Sequence, residues 1–148
     1  MPARKIMPCL WFDGQAEAAA RFYVEVFGDG EVRSADPMVV RFRLHDQEFM
    51  GLNGGPQYHF TEALSFTVDC VDQAEVDHYW TRLTADGGEE SMCGWLKDKY
   101  GLSWQIVPQA LMRLLGSPDR AAAGRAMQAM LQMRKIDVAA LEKAAAGG

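Results

Sequence analysis

The residues most able to do chemistry gather in residues 91–108, SMCGWLKDKYGLSWQIVP. Cys93 lies near Lys97 and Lys99, and positive neighbours lower a thiol's pKa and raise its reactivity. Burial in a strand would instead leave Cys93 an inert small hydrophobe. Gln105 sits within an aromatic strand pattern. A buried amide needs hydrogen-bond partners, so Gln105 is either a satisfied core amide or a ligand-orienting group that donates and accepts at once. The three histidines are dispersed: His45 in a turn, His78 on a helical pattern and His59 in a loop. No nucleophile and base stand together in a recognisable motif. Cys9, Cys70 and Cys93 are odd in number and widely spaced, which suggests neither a disulfide framework nor a zinc knuckle.

These residues must be positioned by strands and helices. Residues 6–12 form a short apolar strand pattern, stopped at Asp13-Gly14. Residues 15–27 carry apolar groups at helical spacing, ended by Gly28 and Gly30. Runs 38–44 and 48–52 flank a turn at His45-Asp46, before Asn53-Gly54-Gly55-Pro56 breaks the chain. The order then repeats: a strand at 63–70, a helix at 72–85, a stop at Asp86-Gly87-Gly88, and a hairpin of 92–97 with 102–107. The halves align at an offset of 58 residues, with Gln73-Ala74-Glu75 against Gln15-Ala16-Glu17 and Gly88 against Gly30. Two such units predict an α+β fold with helices on one sheet face.

Alternation assigns the faces. Leu102, Trp104 and Ile106 should pack beneath a helix, with Ser103, Gln105 and Val107 opposite. Leu64, Phe66, Val68 and Cys70 form a packed face, and Ala63, Ser65 and Thr67 a face of small groups that leaves room for a ligand or is simply half solvated. After Pro108 the pattern turns helical. Ser117 is read as a cap with Pro118 at the first helical position, Asp137 caps a last helix over 138–145, and Met127, Met130, Leu131 and Met133 make an apolar stripe for the domain or a partner subunit.

The chain has 148 residues, suited to one domain, with a net charge of −5 and no basic patch. Nucleic acid and anionic membranes are therefore not expected partners. No apolar run reaches the roughly 18–20 residues of a membrane span, and no signal peptide is recognised, so a cytoplasmic location is expected.

The segments LWFDGQAEAAARFYVEVFGDG, FMGLNGG, LSFTVDC, GWLKDKYGLSWQIVP and AMQAMLQMRKIDVAALEKA resemble the PhnB-like family, often labelled a demethylubiquinone methyltransferase domain. That family is part of the vicinal oxygen chelate superfamily of glyoxalases and bleomycin-resistance proteins. The resemblance, running from about Ile6 to Ala144, implies paired βαβββ modules (about 5–55 and 62–108) curled around a cup and forming one domain, 1–108. A helical extension, 109–148, follows. It also implies a homodimer. Catalysts of the superfamily hold a divalent metal with His and Glu at four cup positions. Carried over, these fall near Pro8, at Gly51 or Asn53, at Ala63 and at Gln105, none of them a good ligand. No metal or other cofactor is therefore expected. The candidate cup residues are Asn53, His59, Ser65, Cys93, Trp95 and Gln105. Asn53, Ser65 and Gln105 would orient an unknown small polar molecule, Trp95 would stack on it, and His59 would close one side.

The expectation is thus a small-molecule-binding protein. Its rivals are a metal-dependent lyase, isomerase or dioxygenase of the same fold, a methyltransferase as the family label states, and a purely structural dimer. A Rossmann-type S-adenosylmethionine site needs a glycine-rich turn between strand and helix, and GLNGG, the only glycine cluster considered for it, precedes a proline loop.

Overall fold

The computed structural model describes residues 5–148, which divide into two compact units, one through Phe60 and one from Thr61. In the first unit, strand β1 (Cys9–Phe12) leads into helix α1 (Ala16–Phe27), followed by β2 (Gly30–Ala35), β3 (Val39–Leu44) and β4 (Gln47–Asn53). The sheet order is β1-β4-β3-β2, with β1 parallel to β4 and the other pairs antiparallel. Leu10, Phe12, Val40, Phe42, Leu44 and Phe49 point to one face and are buried with Ala16, Ala19, Ala20, Tyr23 and Val26 of α1. The alanines let the helix lie close to the sheet. A Cβ at Gly51 would stand 3.1 Å from that of Ala16, so this strand position is filled by the helix itself. Each large apolar side chain enclosed here contributes on the order of 1.5–3 kcal/mol.

Two readings of this unit need correction. The first strand begins at Cys9, three residues later than expected, and Ile6 is exposed. Strand β2 has no counterpart in the sequence reading. It is an edge strand with four of its six residues exposed and a register shift between Val32 and Ser34, so it lacks the apolar alternation that marks a half-buried strand.

Helix α1 receives no cap from its own N-cap residue, Gln15. Asn53 supplies it from the end of β4: its Oδ1 accepts from the Ala16 N–H at 2.9 Å, and its Nδ2 donates to the Pro37 carbonyl at 3.1 Å. Across the sheet, Glu48 Oε1 of the inner strand β4 accepts from Arg33 Nε of the edge strand β2 at 2.6 Å, while Glu48 Oε2 is enclosed without a partner among the described residues.

The second unit repeats the arrangement. Strand β5 (Ser65–Cys70), helix α2 (Gln73–Thr84), β6 (Glu89–Glu90), β7 (Trp95–Lys97) and β8 (Ser103–Pro108) form a sheet of order β5-β8-β7-β6, with β5 parallel to β8. Asp72 caps α2 by accepting from the Glu75 N–H at 3.0 Å, and Glu75 reaches back to the Val71 N–H at 2.7 Å. Leu102, Trp104 and Ile106 are buried, as alternation requires, with Val76, Tyr79, Trp80 and Leu83 of α2. Leu64 departs from the expectation. It precedes β5 and is 55% exposed. The hairpin also starts later than read, at Trp95, because Cys93 (φ 61°) and Gly94 (φ 84°) are both left-handed and interrupt the extended chain.

The β7–β8 turn is organised by Asp98, which is only 2% exposed. Its Oδ1 accepts from the N–H groups of Tyr100 (2.8 Å) and Leu102 (3.1 Å), and its Oδ2 accepts from Trp104 Nε1 (2.9 Å). A buried carboxylate persists when its oxygens are satisfied in this way.

The chain ends in α3 (Gln109–Leu115), α4 (Arg120–Met130) and α5 (Val138–Ala145), which pack on the second unit around Leu111, Ile136 and Leu141. The cap of α4 is Asp119, not Ser117. Its carboxylate accepts from the Ala122 N–H, and Ser117 Oγ accepts from the Asp119 N–H. Asp137 caps α5 as read. The methionine stripe divides: Met130 and Met133 pack against the cluster, while Met127 and Leu131 face outward. Gln73 joins extension to helix, donating from Nε2 to the Ile136 carbonyl (3.0 Å) and accepting at Oε1 from the Val138 N–H (2.8 Å). The Cys93 and Gly94 N–H groups donate to the Met133 and Arg134 carbonyls.

Replacing Asp98 with alanine strands the buried Leu102 and Trp104 N–H donors and the half-buried one of Tyr100, and should lower stability by roughly 2–4 kcal/mol, read as a lower urea midpoint. Asp98→Asn should recover only part of that, because its amide nitrogen meets the Trp104 N–H donor to donor. The Arg33 guanidinium, through its hydrogen bond, holds the Glu48 carboxyl below the ordinary carboxylate range. Such a group adds stability above its unfolded pKa and loses it as pH falls through the folded one. Stability should therefore decline on acidification below the ordinary glutamate range, and Glu48→Gln should flatten that decline in denaturant titrations. Equal slopes would contradict the assignment.

Candidate functional site

Side chains opposite the packed face of the second sheet form two cross-strand rows. Register places Ser65 of β5, Ser103 of β8, Lys97 of β7 and Glu89 of β6 in one row, and Thr67, Gln105 and Trp95 in the next. Gln105 is half-buried, and its Nε2 donates to Ser65 Oγ at 2.9 Å. That bond holds the amide by its nitrogen, and its oxygen accepts no hydrogen bond among the described residues. Trp95 stands directly opposite on β7. Ser65, Trp95 and Gln105 are thus neighbours on one surface, built from three strands of one unit.

The other candidates lie elsewhere. Cys93 precedes β7, half-buried in its left-handed turn, with its N–H held by Met133. The nearby lysines are engaged elsewhere: Lys97 Nζ pairs with Glu62 Oε1, and Lys99 lies over the Tyr100 ring. Cys70 is a core thiol, pushed up to about 12 by burial first and by Glu75, Asp69 and Asp72 second, and is not a nucleophile. Asn53 and His59 belong to the first unit. The Asn53 amide is engaged at both ends, and His59 is exposed in the loop after β4.

Sequence reasoning passed over Ser103 and Lys97. Ser103 shares the face of Gln105 by simple alternation, which was the available signal, yet it is 1% exposed and its hydroxyl has no partner among the described residues. A serine beside a lysine has the elements of a nucleophile and base. Here the Glu62 carboxylate raises the Lys97 pKa, keeping it protonated and unable to serve as the base.

The metal positions implied by resemblance shift with the observed register. Cys9 pairs with Met50 as Thr67 pairs with Gln105, so Met50, not Gly51 or Asn53, is the first-unit counterpart of Gln105. Gly51 faces Ala16 of α1, and a one-residue change of register exchanges faces. A thioether, an amide and hydroxyls are poor ligands for a hard divalent ion, and the described residues hold no group of three His, Cys, Asp or Glu side chains arranged for one. The residues present do not fit the superfamily's metal. The GLNGG glycines serve the fold. Trp11 lies against Gly54, where any Cβ would enter its ring, and Trp11 Nε1 donates to the Gly55 carbonyl at 2.8 Å. The chain continues into a loop and then β5, so no helix begins there to receive a cofactor phosphate.

Residues 4–107 match the sequence profile of the 3-demethylubiquinone-9 3-methyltransferase family. The PhnB protein from Bacillus cereus is 31% identical, with a TM-score of 0.65 over 71% of this chain and 99% of that one. A glyoxalase/bleomycin resistance protein from Albidiferax ferrireducens T118 shares the fold at 14% identity, TM-score 0.54, over 70% and 96% of the two chains. A glyoxalase-related enzyme from Fulvimarina pelagi does so at 19% identity, TM-score 0.53, over 73% and 91%. No curated protein matches. The profile stops at residue 107, so the helical extension lies outside it. With a matching profile over most of its length and the same pair of four-stranded βαβββ sheets, the chain belongs to the PhnB-like 3-demethylubiquinone-9 3-methyltransferase family, on the vicinal oxygen chelate (glyoxalase/bleomycin-resistance) fold.

Proposed function

We propose that this protein binds a small polar organic molecule on the outward face of its second sheet, without a divalent metal. The Gln105–Ser65 hydrogen bond carries the reading. It holds a half-buried amide in one orientation, with its oxygen available to a ligand donor and the Trp95 ring beside it for stacking. The family label supports a methyltransferase reading, but the turn between β1 and α1 carries one glycine, Gly14, and that between β5 and α2 carries none, so neither is the glycine-rich turn that would hold S-adenosylmethionine.

The chain is also proposed to act as a cytoplasmic homodimer. Met38 and Tyr58 of the first unit are each more than half exposed, which supports an apolar contact surface there. Three free thiols support a reducing compartment. No helix among the described residues is long and apolar enough to cross a membrane. Light scattering should return twice the 16.4 kDa chain mass.

A thermal-shift screen of neutral polar compounds, repeated by calorimetry, tests the binding reading. Hits should bind equally in the presence of EDTA and lose about ten-fold in affinity on Gln105→Ala, the effect of one ligand hydrogen bond. Hits abolished by EDTA, or micromolar S-adenosylmethionine binding indifferent to Gln105, would overturn it.

A further inference from the structure

A glutamine side chain offers two N–H donors and one acceptor oxygen on a single plane. At Gln105 one donor is used, on Ser65 Oγ at 2.9 Å. The oxygen accepts no hydrogen bond among the described residues. Nor is it enclosed: the unpartnered buried side-chain atoms among the described residues are Glu48 Oε2 and Ser103 Oγ, so Gln105 Oε1 meets solvent. The amide thus keeps one N–H and an open carbonyl side by side, and the Ser65 bond restrains the plane that carries them. Trp95 stands opposite Gln105 in the register. It is half-buried, and its ring meets no other aromatic ring among the described residues. An indole without an aromatic partner and a two-point amide edge are therefore neighbours on one sheet face.

Charge narrows what that edge can take. The two cross-strand rows hold one cation, Lys97, and its ammonium is paired with Glu62. Glu89 lies in the row of Ser65, and alternation puts Asp69 on the outward side of β5 after Ser65 and Thr67. These carboxylates disfavour an approaching anion. A carboxylic acid has the same donor–acceptor edge as an amide, but at neutral pH it is ionised, so it loses the donor and gains the unwelcome charge. A carboxamide or a lactam keeps both its donor and its acceptor and carries no charge.

We infer that the outward face of the second sheet takes a planar, neutral carboxamide or lactam. The ligand N–H donates to Gln105 Oε1, the ligand carbonyl accepts from the remaining Gln105 N–H, and the attached ring stacks on Trp95. The same two-point pairing lets a glutamine amide read the adjacent donor and acceptor of an adenine edge. This rests on the reading of that face as a ligand surface, and it names the chemical class of the ligand and makes Gln105 the residue that sets specificity.

The test is a proton–nitrogen NMR titration of the full chain with benzamide and 2-pyridone, alongside N,N-dimethylbenzamide, which has no donor, and sodium benzoate. Benzamide and 2-pyridone should shift the Gln105 side-chain amide and the Trp95 indole N–H in a saturable way. N,N-dimethylbenzamide should bind about ten-fold more weakly, the effect of one lost hydrogen bond, and benzoate should shift neither signal. A Gln105→Glu variant with an otherwise native spectrum presents acceptors alone. It should lose benzamide about ten-fold and gain affinity for benzamidinium, which presents donors alone. Equal binding of benzamide and its dimethyl analogue, benzamide affinity unchanged in the variant, or no saturable shift at Gln105 would overturn the inference. The comparison of ligands on the unaltered chain decides even where the variant does not fold. The two readings separate. Neutral compounds without an amide edge that match benzamide and still depend on Gln105 would remove this ligand class and leave the binding surface. Neutral compounds that bind with no dependence on Gln105 would remove the surface itself.

Discussion

The Asp98 carboxylate sets the register on which the second unit's outward face depends. Its oxygens take the Tyr100 and Leu102 N–H groups and the Trp104 indole N–H, so the turn and the following strand are fixed by one buried group. With the turn fixed, Lys97 falls opposite Ser103 and Trp95 opposite Gln105. A slip of one residue would bury the amide and expose Trp104. The parallel pairing of β5 with β8 then brings Ser65 within reach of Gln105. The polar surface is thus a by-product of apolar order beneath it: Leu102, Trp104 and Ile106 are fully packed, and the residues between them have only one other side to face.

The parts of the fold that were legible in the sequence are those where burial leaves a period. Leu102, Trp104 and Ile106 announced their face, the two helices their amphipathic spacing, and the motifs of the repeat the paired modules. Strand β2 left no such trace, because an exposed edge strand need not alternate. Ser117-Pro118 looked like a helix start by residue type, yet Asp119 takes the cap, since the hydroxyl is used to bind the Asp119 N–H instead. The candidate surface was half legible. Gln105 and Ser65 could be placed on outward faces by counting, but their mutual bond depends on which strands pair, and that is a long-range choice. The roles of Asn53 and Asp98 were hidden for the same reason: each satisfies backbone groups whose positions exist only once the unit is folded.

The paired units also show how equal topology can carry unequal chemistry. Where the first sheet presents Met50, the second presents Gln105. Where the first helix depends on a strand residue, Asn53, for its cap, the second uses its own Asp72. Gln15 and Gln73 occupy matching places in the repeat. Gln15 makes no capping bond with its side chain, whereas Gln73 binds the backbone of the extension at two points.

That last arrangement separates the limit of family likeness from the limit of cooperative folding. The profile ends at residue 107, one residue before the close of β8. Cutting the chain there would take the Val138 N–H from Gln73 Oε1 and the Ile136 carbonyl from its Nε2, leaving that nitrogen only Asp77, would release Asp77 from Lys135, and would leave the Cys93 and Gly94 N–H groups of the strained turn ahead of β7 without their acceptors. The trimmed piece would keep every strand yet lose the clamp at the root of its own hairpin. In this chain the helices beyond the profile are a structural wall of the second unit.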